Sequence, residues 1–136
     1  GMSIDEVMTL ASMIQAEAAD VNDMYLISSV FHNRLNAGSN SEVAYLGSDP
    51  TVWYPYASRS AVPENEVNTF RSRYNTYQIK GLPPGPICSP GEDAIQAALN
   101  PKDTDYLYFC HAKDGTPYYA KTASEHEANL GKAGLK

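Results

Sequence analysis

The sequence lacks the features that mark membrane-spanning and nucleic-acid-binding chains. No stretch of its 136 residues approaches the ~20 consecutive apolar residues that a membrane-spanning helix needs. This absence says nothing of segments outside the chain. Basic residues are also scarce, since 10 Lys and Arg stand against 16 Asp and Glu, a formal net charge of −6. Because nucleic-acid binding depends on a basic surface that neutralises phosphates, no nucleic-acid partner is expected.

Patterns for metals and cofactors are missing as well. The two cysteines, Cys88 and Cys110, and the three histidines follow none of the spacings by which Cys and His bind zinc. No metal is therefore expected, and whether the two cysteines form a disulfide stays open. No glycine-rich loop precedes a helix, and no lysine lies in an apolar segment suited to a Schiff base. The sequence therefore predicts no cofactor.

What the chain does have is the composition of one globular domain with many tyrosines. Hydrophobic residues make up 43% and charged residues 19%, and 136 residues suffice for a domain with its own core. Ten tyrosines stand against three phenylalanines. Aromatic rings with a polar end suit ligands with polar rings, such as sugars, although tyrosine-rich packing explains the same excess.

The first helix carries the candidate catalytic residue. Ser3 and Glu6 form a capping-box pattern, so a helix is predicted to begin at about Ser3 and to include Glu17. On a helical wheel Glu17 lies at the edge of the apolar arc, between Leu10 and Met13. Partial burial and the negative end of the helix dipole would both raise the pKa of this carboxyl, as a general acid requires. The alternative is an interface residue whose carboxylate stays in water.

Start and stop signals divide the rest of the chain into short elements. The predicted elements are a helix from an N-cap at Asn22 or Asp23 to Gly38, a short helix beginning at Ser48 or Asp49, another at 64–70, a strand at 77–79, a helix from a capping box at Ser89 to Asn100, strands at 106–110 and 118–120 joined by a turn at Asp114-Gly115, and a helix from Thr122 through Leu130. Asn33 and Arg34 are expected to tie the second helix to neighbouring loops. Residues 81–87 hold three prolines and two glycines, which predicts a rigid loop. The predicted fold class is α+β, a single domain of several helices with a small antiparallel hairpin.

Several of these segments, taken in order, resemble the catalytic domain of the endolytic murein transglycosylases, the YceG-like (MltG-type) family. The segments are 10–17 (LASMIQAE), 31–35 (FHNRL), 48–52 (SDPTV), 75–77 (NTY), 81–87 (GLPPGPI) with 90–91 (PG), 94–101 (AIQAALNP), 106–109 (YLYF) and 122–126 (TASEH). Each is weak alone, but the ordered set spans nearly the whole chain. Residues 56–74 match the family poorly.

The resemblance implies a bacterial enzyme that cuts the glycan strands of peptidoglycan internally, with the cell-wall synthesis machinery as a candidate partner. Members usually carry an N-terminal membrane anchor and work on the extracytoplasmic face of the cytoplasmic membrane. Gly1 ahead of Met2 is typical of a residue left by tag cleavage. Residues 1–136 are accordingly interpreted as the catalytic domain without its anchor and accessory region, with an active-site core that could be lysozyme-like.

By the same resemblance, Glu17 is the catalytic acid. It ends the segment that holds the catalytic glutamate of the family, and where many relatives carry another Glu two positions earlier this chain has Gln15. An amide cannot transfer a catalytic proton, so Glu17 is the remaining choice. It would protonate the bond between N-acetylmuramic acid and N-acetylglucosamine. It would then deprotonate the primary hydroxyl of the muramyl sugar, which closes an anhydro ring.

Supporting roles are predicted for residues in the other segments. The predicted substrate-binding residues are Asp49, Thr51, Asn75, Tyr77, Pro84, Gly85, Glu125 and His126. Asn75 and Tyr77 would hold an acetamido group or the leaving sugar, and the loop at 82–87 would form one wall of the groove. Asp49 is equally explained as an N-cap, and His126 as a structural histidine.

Three other functions stay open. The first is a glycan-binding module without catalysis, which would keep the groove and the tyrosines. The second is a pyridoxal-phosphate enzyme, because some YceG-like sequences have carried an aminodeoxychorismate lyase label. The third is a hydrolase in which Asp49 positions a water molecule.

Overall fold

The computed structural model describes all 136 residues, and its first helix ends at the candidate acid. Helix α1 spans Ile4–Glu17. As predicted, Ser3 and Glu6 form a capping box, in which Glu6 N–H donates to Ser3 Oγ (3.1 Å) and Ser3 N–H donates to Glu6 Oε1 (2.9 Å). Ala18 then leaves the helix with an extended backbone (φ −76°, ψ 144°). Glu17 is therefore the last helical residue, at the negative end of the helix dipole.

Helix α2 spans Val21–Asn36 and begins earlier than predicted. Its N-cap is Asp20, not Asn22 or Asp23, because the Asp20 carboxylate accepts the Asp23 N–H at 2.8 Å. The Asp23 side chain is buried and accepts the N–H of Ala19 instead. Gly38 follows the helix in the left-handed region (φ +94°), so the predicted stop is confirmed.

Helix α3 spans Glu92–Leu99 and packs with α1 and α2 around the core. The core residues are Leu10, Ala11, Met13, Ile14, Met24, Ile27, Phe31, Leu46, Ala94, Ala97 and Ala98. The predicted capping box at Ser89 is wrong. The N-cap is Gly91, whose N–H donates to the side chain of Gln15 on α1 at 2.9 Å. The end at Asn100 is as predicted.

A two-stranded antiparallel sheet and a last helix complete the fold. Strand β1 (Tyr108–His111) pairs with β2 (Pro117–Ala120), and helix α4 (Ala123–Lys132) packs against both. The turn falls at Asp114, whose carboxylate accepts the Thr116 N–H at 3.0 Å. The strand begins two residues later than predicted. Four helices with one small antiparallel sheet confirm the α+β class.

Turns and 3₁₀ segments make up residues 37–91. The 3₁₀ segments are Glu42–Ala44, Asp49–Thr51 and Arg59–Ala61. The predicted strand at 77–79 is wrong, because the Asn75 carbonyl accepts the N–H groups of Gln78 and Ile79 and closes a turn. The predicted helix at 64–70 is present only as successive turns around the carbonyl of Glu66.

Two further observations concern the sulfur atoms and the helices as a group. Cys88 and Cys110 are both free thiols. None of the four helices combines the length with the apolar composition that crossing a bilayer requires.

Candidate active site

Glu17 lies where two cavities meet. Each cavity has a volume of about 730 Å³, and both are lined by Ala16, Glu17 and Asp49. We call the cavity along β1 and α4 the hairpin arm; its other lining residues are Arg34, Glu42, Tyr45, Leu46, Gly47, Tyr77, Tyr108, Phe109, Cys110, His111, His126, Leu130 and Leu135. We call the second the loop arm, lined also by Pro50, Val52, Trp53, Ala57, Ser58 and Arg59. A long ligand that occupied both arms would pass over the carboxyl of Glu17.

The environment of Glu17 keeps its carboxyl protonated up to a pH well above that at which a carboxyl usually ionises. Burial is the largest cause and the nearby charge of Asp49 the second, with a smaller contribution from Asp23. A hydrogen bond from Ser48 Oγ to Glu17 Oε1 (3.4 Å) favours the charged form and opposes them. The net result raises the pKa of Glu17 to about 7. Near neutral pH this group can therefore both donate and accept a proton.

Asp49 and Tyr77 form a pair beside Glu17. The Tyr77 hydroxyl donates a hydrogen bond to Asp49 Oδ1, and burial together with this carboxylate raises the pKa of the phenol well above its usual value. Tyr77 therefore stays a proton-bearing donor. Gly47 makes room for the ring, because a Cβ at this left-handed position (φ +61°) would lie 3.3 Å from it. Asp49 is not an N-cap; that position belongs to Ser48.

Thr51 supports the site from behind. It is fully buried, and its hydroxyl donates to the Ser48 carbonyl at 2.6 Å and lies 2.8 Å from the hydroxyl of Thr76. Thr76 Oγ1 in turn accepts the Ser48 N–H at 2.8 Å. These bonds fix the backbone of Ser48, whose hydroxyl contacts Glu17. Thr51 lines neither arm, so the structure places it behind the cleft wall.

His126 lies in the wall of the hairpin arm. Its ring stacks on Tyr108 with centroids 5.0 Å apart, and the guanidinium of Arg34 lies 5.0 Å from the same Tyr108 ring. Burial and the charge of Arg34 lower the pKa of His126, so the imidazole is neutral at neutral pH. Its Nδ1 is buried without a hydrogen-bond partner. The ring therefore retains an unused polar atom in the wall of the arm.

The other predicted substrate-binding residues line neither arm. Asn75 Oδ1 accepts the N–H of Tyr77 at 3.0 Å and so shapes the turn that carries this tyrosine. Pro84 and Gly85 lie in a loop outside both linings. Glu125 is exposed near the start of α4 and accepts the Lys121 N–H at 3.4 Å. The structure thus brings Glu17, Asp49, Tyr77 and His126 together around the cleft.

Sequence reasoning gave Arg34 and Ser48 only structural roles and did not single out His111. Arg34 Nε and Nη1 donate to the carbonyls of Leu107 and Tyr45 at 2.6 and 2.7 Å, which confirms its predicted role as a tie. Ser48 was predicted only as a helix start, although its hydroxyl also contacts Glu17. His111 bonds the buried Asp23 at 2.7 Å. These contacts are between residues far apart in sequence, which no local pattern signals.

Comparisons with known proteins agree in pointing to one family. The chain matches the sequence profile of the YceG-like family over residues 1–132. It is 39% identical over 128 residues to the endolytic murein transglycosylase of Bacillus subtilis strain 168, covering 92% of this chain and 33% of that protein. It is 34% identical over 134 residues to the endolytic murein transglycosylase of Streptococcus pneumoniae strain D39, covering 95% and 24%. A crystal structure of a YceG-like protein from Listeria monocytogenes superposes with a TM-score of 0.77 and 38% identity, covering 94% of this chain and 40% of that one. The chain thus spans about a quarter to a third of the length of these curated relatives.

Proposed function

Because this chain belongs to the YceG-like family, we propose that it is the catalytic domain of an endolytic murein transglycosylase in which Glu17 is first the acid and then the base. The names of the relatives support the reaction class. The observation that carries the proposal is the carboxyl of Glu17, which lies between two arms of a cleft with its pKa raised to about 7.

In the first step Glu17 is an acid. Its carboxyl proton passes to the glycosidic oxygen between N-acetylmuramic acid and N-acetylglucosamine, and the bond from that oxygen to the muramyl C1 breaks. The acetamido group of the muramyl sugar stabilises the positive charge that develops at C1. A carboxyl half-protonated near neutral pH is suited to this proton transfer.

In the second step Glu17 is a base. Its carboxylate takes the proton of the muramyl C6 hydroxyl while the oxygen forms a bond to C1, which closes an anhydro ring and restores the acid. Ordinary glycosidases need a second carboxylate for a water molecule or for covalent catalysis. Here the nucleophile belongs to the substrate, so one carboxyl suffices.

The neighbouring residues have separate roles in this proposal. Asp49 keeps the pKa of Glu17 high, and Ser48 stabilises its carboxylate between the two steps. Tyr77 holds Asp49 and presents a ring to the hairpin arm. His126 offers Nδ1 to a sugar hydroxyl or acetamido group there. The full-length protein would work on the extracytoplasmic face of the membrane, beside the cell-wall synthesis machinery.

A digest of purified peptidoglycan, with products identified by mass spectrometry, tests the reaction. We expect muropeptides with anhydro-muramyl ends, because the nucleophile is internal. Each should be lighter than the corresponding reducing-end product by one water, about 18 mass units. Reducing ends would show a hydrolase with Asp49 or another group positioning water. If neither this chain nor one extended to the length of its relatives gives products while both bind the strands, the domain is a glycan-binding module.

The pH dependence of kcat/KM should shift in opposite directions in two variants. Activity needs the protonated acid, so the rate should fall as pH rises through the pKa of Glu17, about 7. Asp49→Asn removes a charge that raises this pKa, and the alkaline limb should move to lower pH by roughly half a unit or more. Ser48→Ala removes a bond to the carboxylate, and the limb should move to higher pH. Shifts in the same direction would contradict Glu17 as the titrating group.

A further inference from the structure

The loop arm, which Glu17 and Asp49 also line, contains a cation that forms no ion pair within the protein. Arg59 lines this arm, and its guanidinium makes no hydrogen bond and no salt bridge within the chain. Arg34 differs, because two backbone carbonyls accept its N–H groups and it lies over Tyr108. A guanidinium is always charged and presents a planar fork that matches a carboxylate. Arg59 is thus free to bind an anion inside the cleft.

The charge of the surrounding segment fits an anionic ligand. Three of the four arginines of the chain lie in residues 56–74, a stretch with two glutamates, although the whole chain has a net charge of −6. Arg71 donates to the carbonyls of Asn68 and Phe70, and Arg73, which is exposed like Arg59, lines neither arm. Arg59 therefore combines a free guanidinium with a place in the cleft wall.

A fixed aromatic ring lies in the same arm. Trp53, the only tryptophan, lines the loop arm and stacks on Phe70 with centroids 6.1 Å apart and an angle of 21° between the rings. Tyr56 packs edge-on against Phe70 at 5.3 Å and completes the support. An indole held in this way is a rigid surface on which the apolar face of a sugar ring can stack. The arm thus offers a sugar platform next to a cation.

We propose that the loop arm is a subsite for a muramyl residue, with the sugar on Trp53 and a carboxylate of its lactyl or peptide substituent on Arg59. The identity of the strand rests on the function proposed above. Of the two sugars in the strand, only the muramyl residue carries an acidic substituent, so a cation in the wall selects it. The same pairing fixes which sugar lies next to Glu17, because the sugars alternate.

The subsite is tested by measuring strand binding in a Glu17→Gln background, so that the result does not depend on cleavage. The fluorescence emission of Trp53 is followed during titration with three kinds of soluble glycan strand. Stemmed strands keep their peptide stems, and capped strands are stemmed strands whose carboxylates are converted to methylamides. Stripped strands have lost their stems to an amidase, so that the lactyl carboxylate is free. Stemmed strands should bind about tenfold more tightly than capped ones. Adding Arg59→Gln should remove this difference, and the matched Arg73→Gln should not.

Each outcome decides the assignment. If Arg59→Gln leaves the ratio of the two dissociation constants unchanged, or if Arg73→Gln lowers it as much, the subsite is wrong. The lactyl carboxyl is an amide in stemmed strands and is free only in stripped ones. Stripped strands that bind as tightly as stemmed ones, with the same dependence on Arg59, show that the subsite accepts a carboxylate at either position. Stripped strands that bind like capped ones show that it recognises only a carboxylate of the peptide stem. A domain that cleaves strands to anhydro products without this discrimination would overturn the subsite alone. If the domain binds strands with this discrimination but never cleaves them, the proposed reaction is wrong and the subsite stands.

Discussion

Glu17→Gln should lower the rate of anhydro-product formation by about 10³- to 10⁴-fold, at the upper end of what one acid–base group contributes. The expected loss is large because the proposed mechanism uses this one carboxyl, whose pKa is raised to about 7, in both steps. Glutamine has nearly the same shape and can still accept the bond from Ser48. The measurement is the initial rate of muropeptide release, followed by chromatography.

The matched control is Glu64→Gln, the same chemical change at an exposed position that lines neither arm. It should keep the wild-type rate. Strand binding by Glu17→Gln should stay close to that of the wild type, since the charge and not the shape has changed. A Glu17→Gln variant that retains more than about a tenth of the activity would rule out Glu17 as the general acid.

The stability of the Glu17→Gln variant gives a second measure of the ionisation of Glu17. In the wild type the folded state holds the proton more tightly than the unfolded chain, so the free energy of unfolding should fall as pH rises from about 4.5 to about 7. Glutamine does not ionise, so the variant does not lose stability over this pH range. At pH 8 Glu17→Gln should therefore be more stable than the wild type by roughly 2 kcal/mol, after allowance for the partial exposure of the side chain. Denaturant unfolding at pH 4 and pH 8 measures the difference.

Local patterns in the sequence were enough to locate Glu17, the proposed acid. The capping box at Ser3 and the 3.6-residue period set the start and the buried face of α1, and those two facts put Glu17 at the edge of the core in the last turn. The hairpin turn at Asp114 was equally local, since it depends on neighbouring residues alone. These two features were predictable from neighbouring residues, whereas the N-caps of α2 and α3, Asp20 and Gly91, were not.

The residues around Glu17 were not predictable in the same way. Ser48 and Asp49 reach Glu17 from a 3₁₀ segment about 30 residues further along the chain, whose position depends on the buried hydroxyls of Thr51 and Thr76. The alternation of residues 77–79 predicts a strand at Tyr77. Tyr77 lies in a turn because the Asn75 side chain and carbonyl bond the N–H groups that follow. Competition between such local polar bonds and strand pairing is not visible in a hydrophobic pattern.

The connection between α1 and α2 depends on one buried carboxylate, and its loss is expected to be the most destabilising change in the chain. Asp23 is 1% exposed and accepts three hydrogen bonds, from the Ala19 N–H (2.9 Å), from His111 Nε2 (2.7 Å) and from the Tyr119 hydroxyl. The bonds join the end of α1 to both strands of the hairpin. Asp23→Ala would leave all three donors without a partner.

We expect Asp23→Ala to lower the free energy of unfolding by about 3 to 5 kcal/mol, a large part of the stability of a domain of this size. Two milder variants bracket the effect. Tyr119→Phe removes one donor and should cost about 1 kcal/mol, and Asp20→Ala removes the exposed N-cap of α2 at a similar cost. Urea unfolding of the three variants measures the order. Equal losses for Asp23→Ala and Asp20→Ala would mean that Asp23 stabilises only its own helix. A much larger loss for Asp23→Ala would mean that Asp23 holds the hairpin against the helix that ends in Glu17. The wall of the hairpin arm would then depend on the same carboxylate.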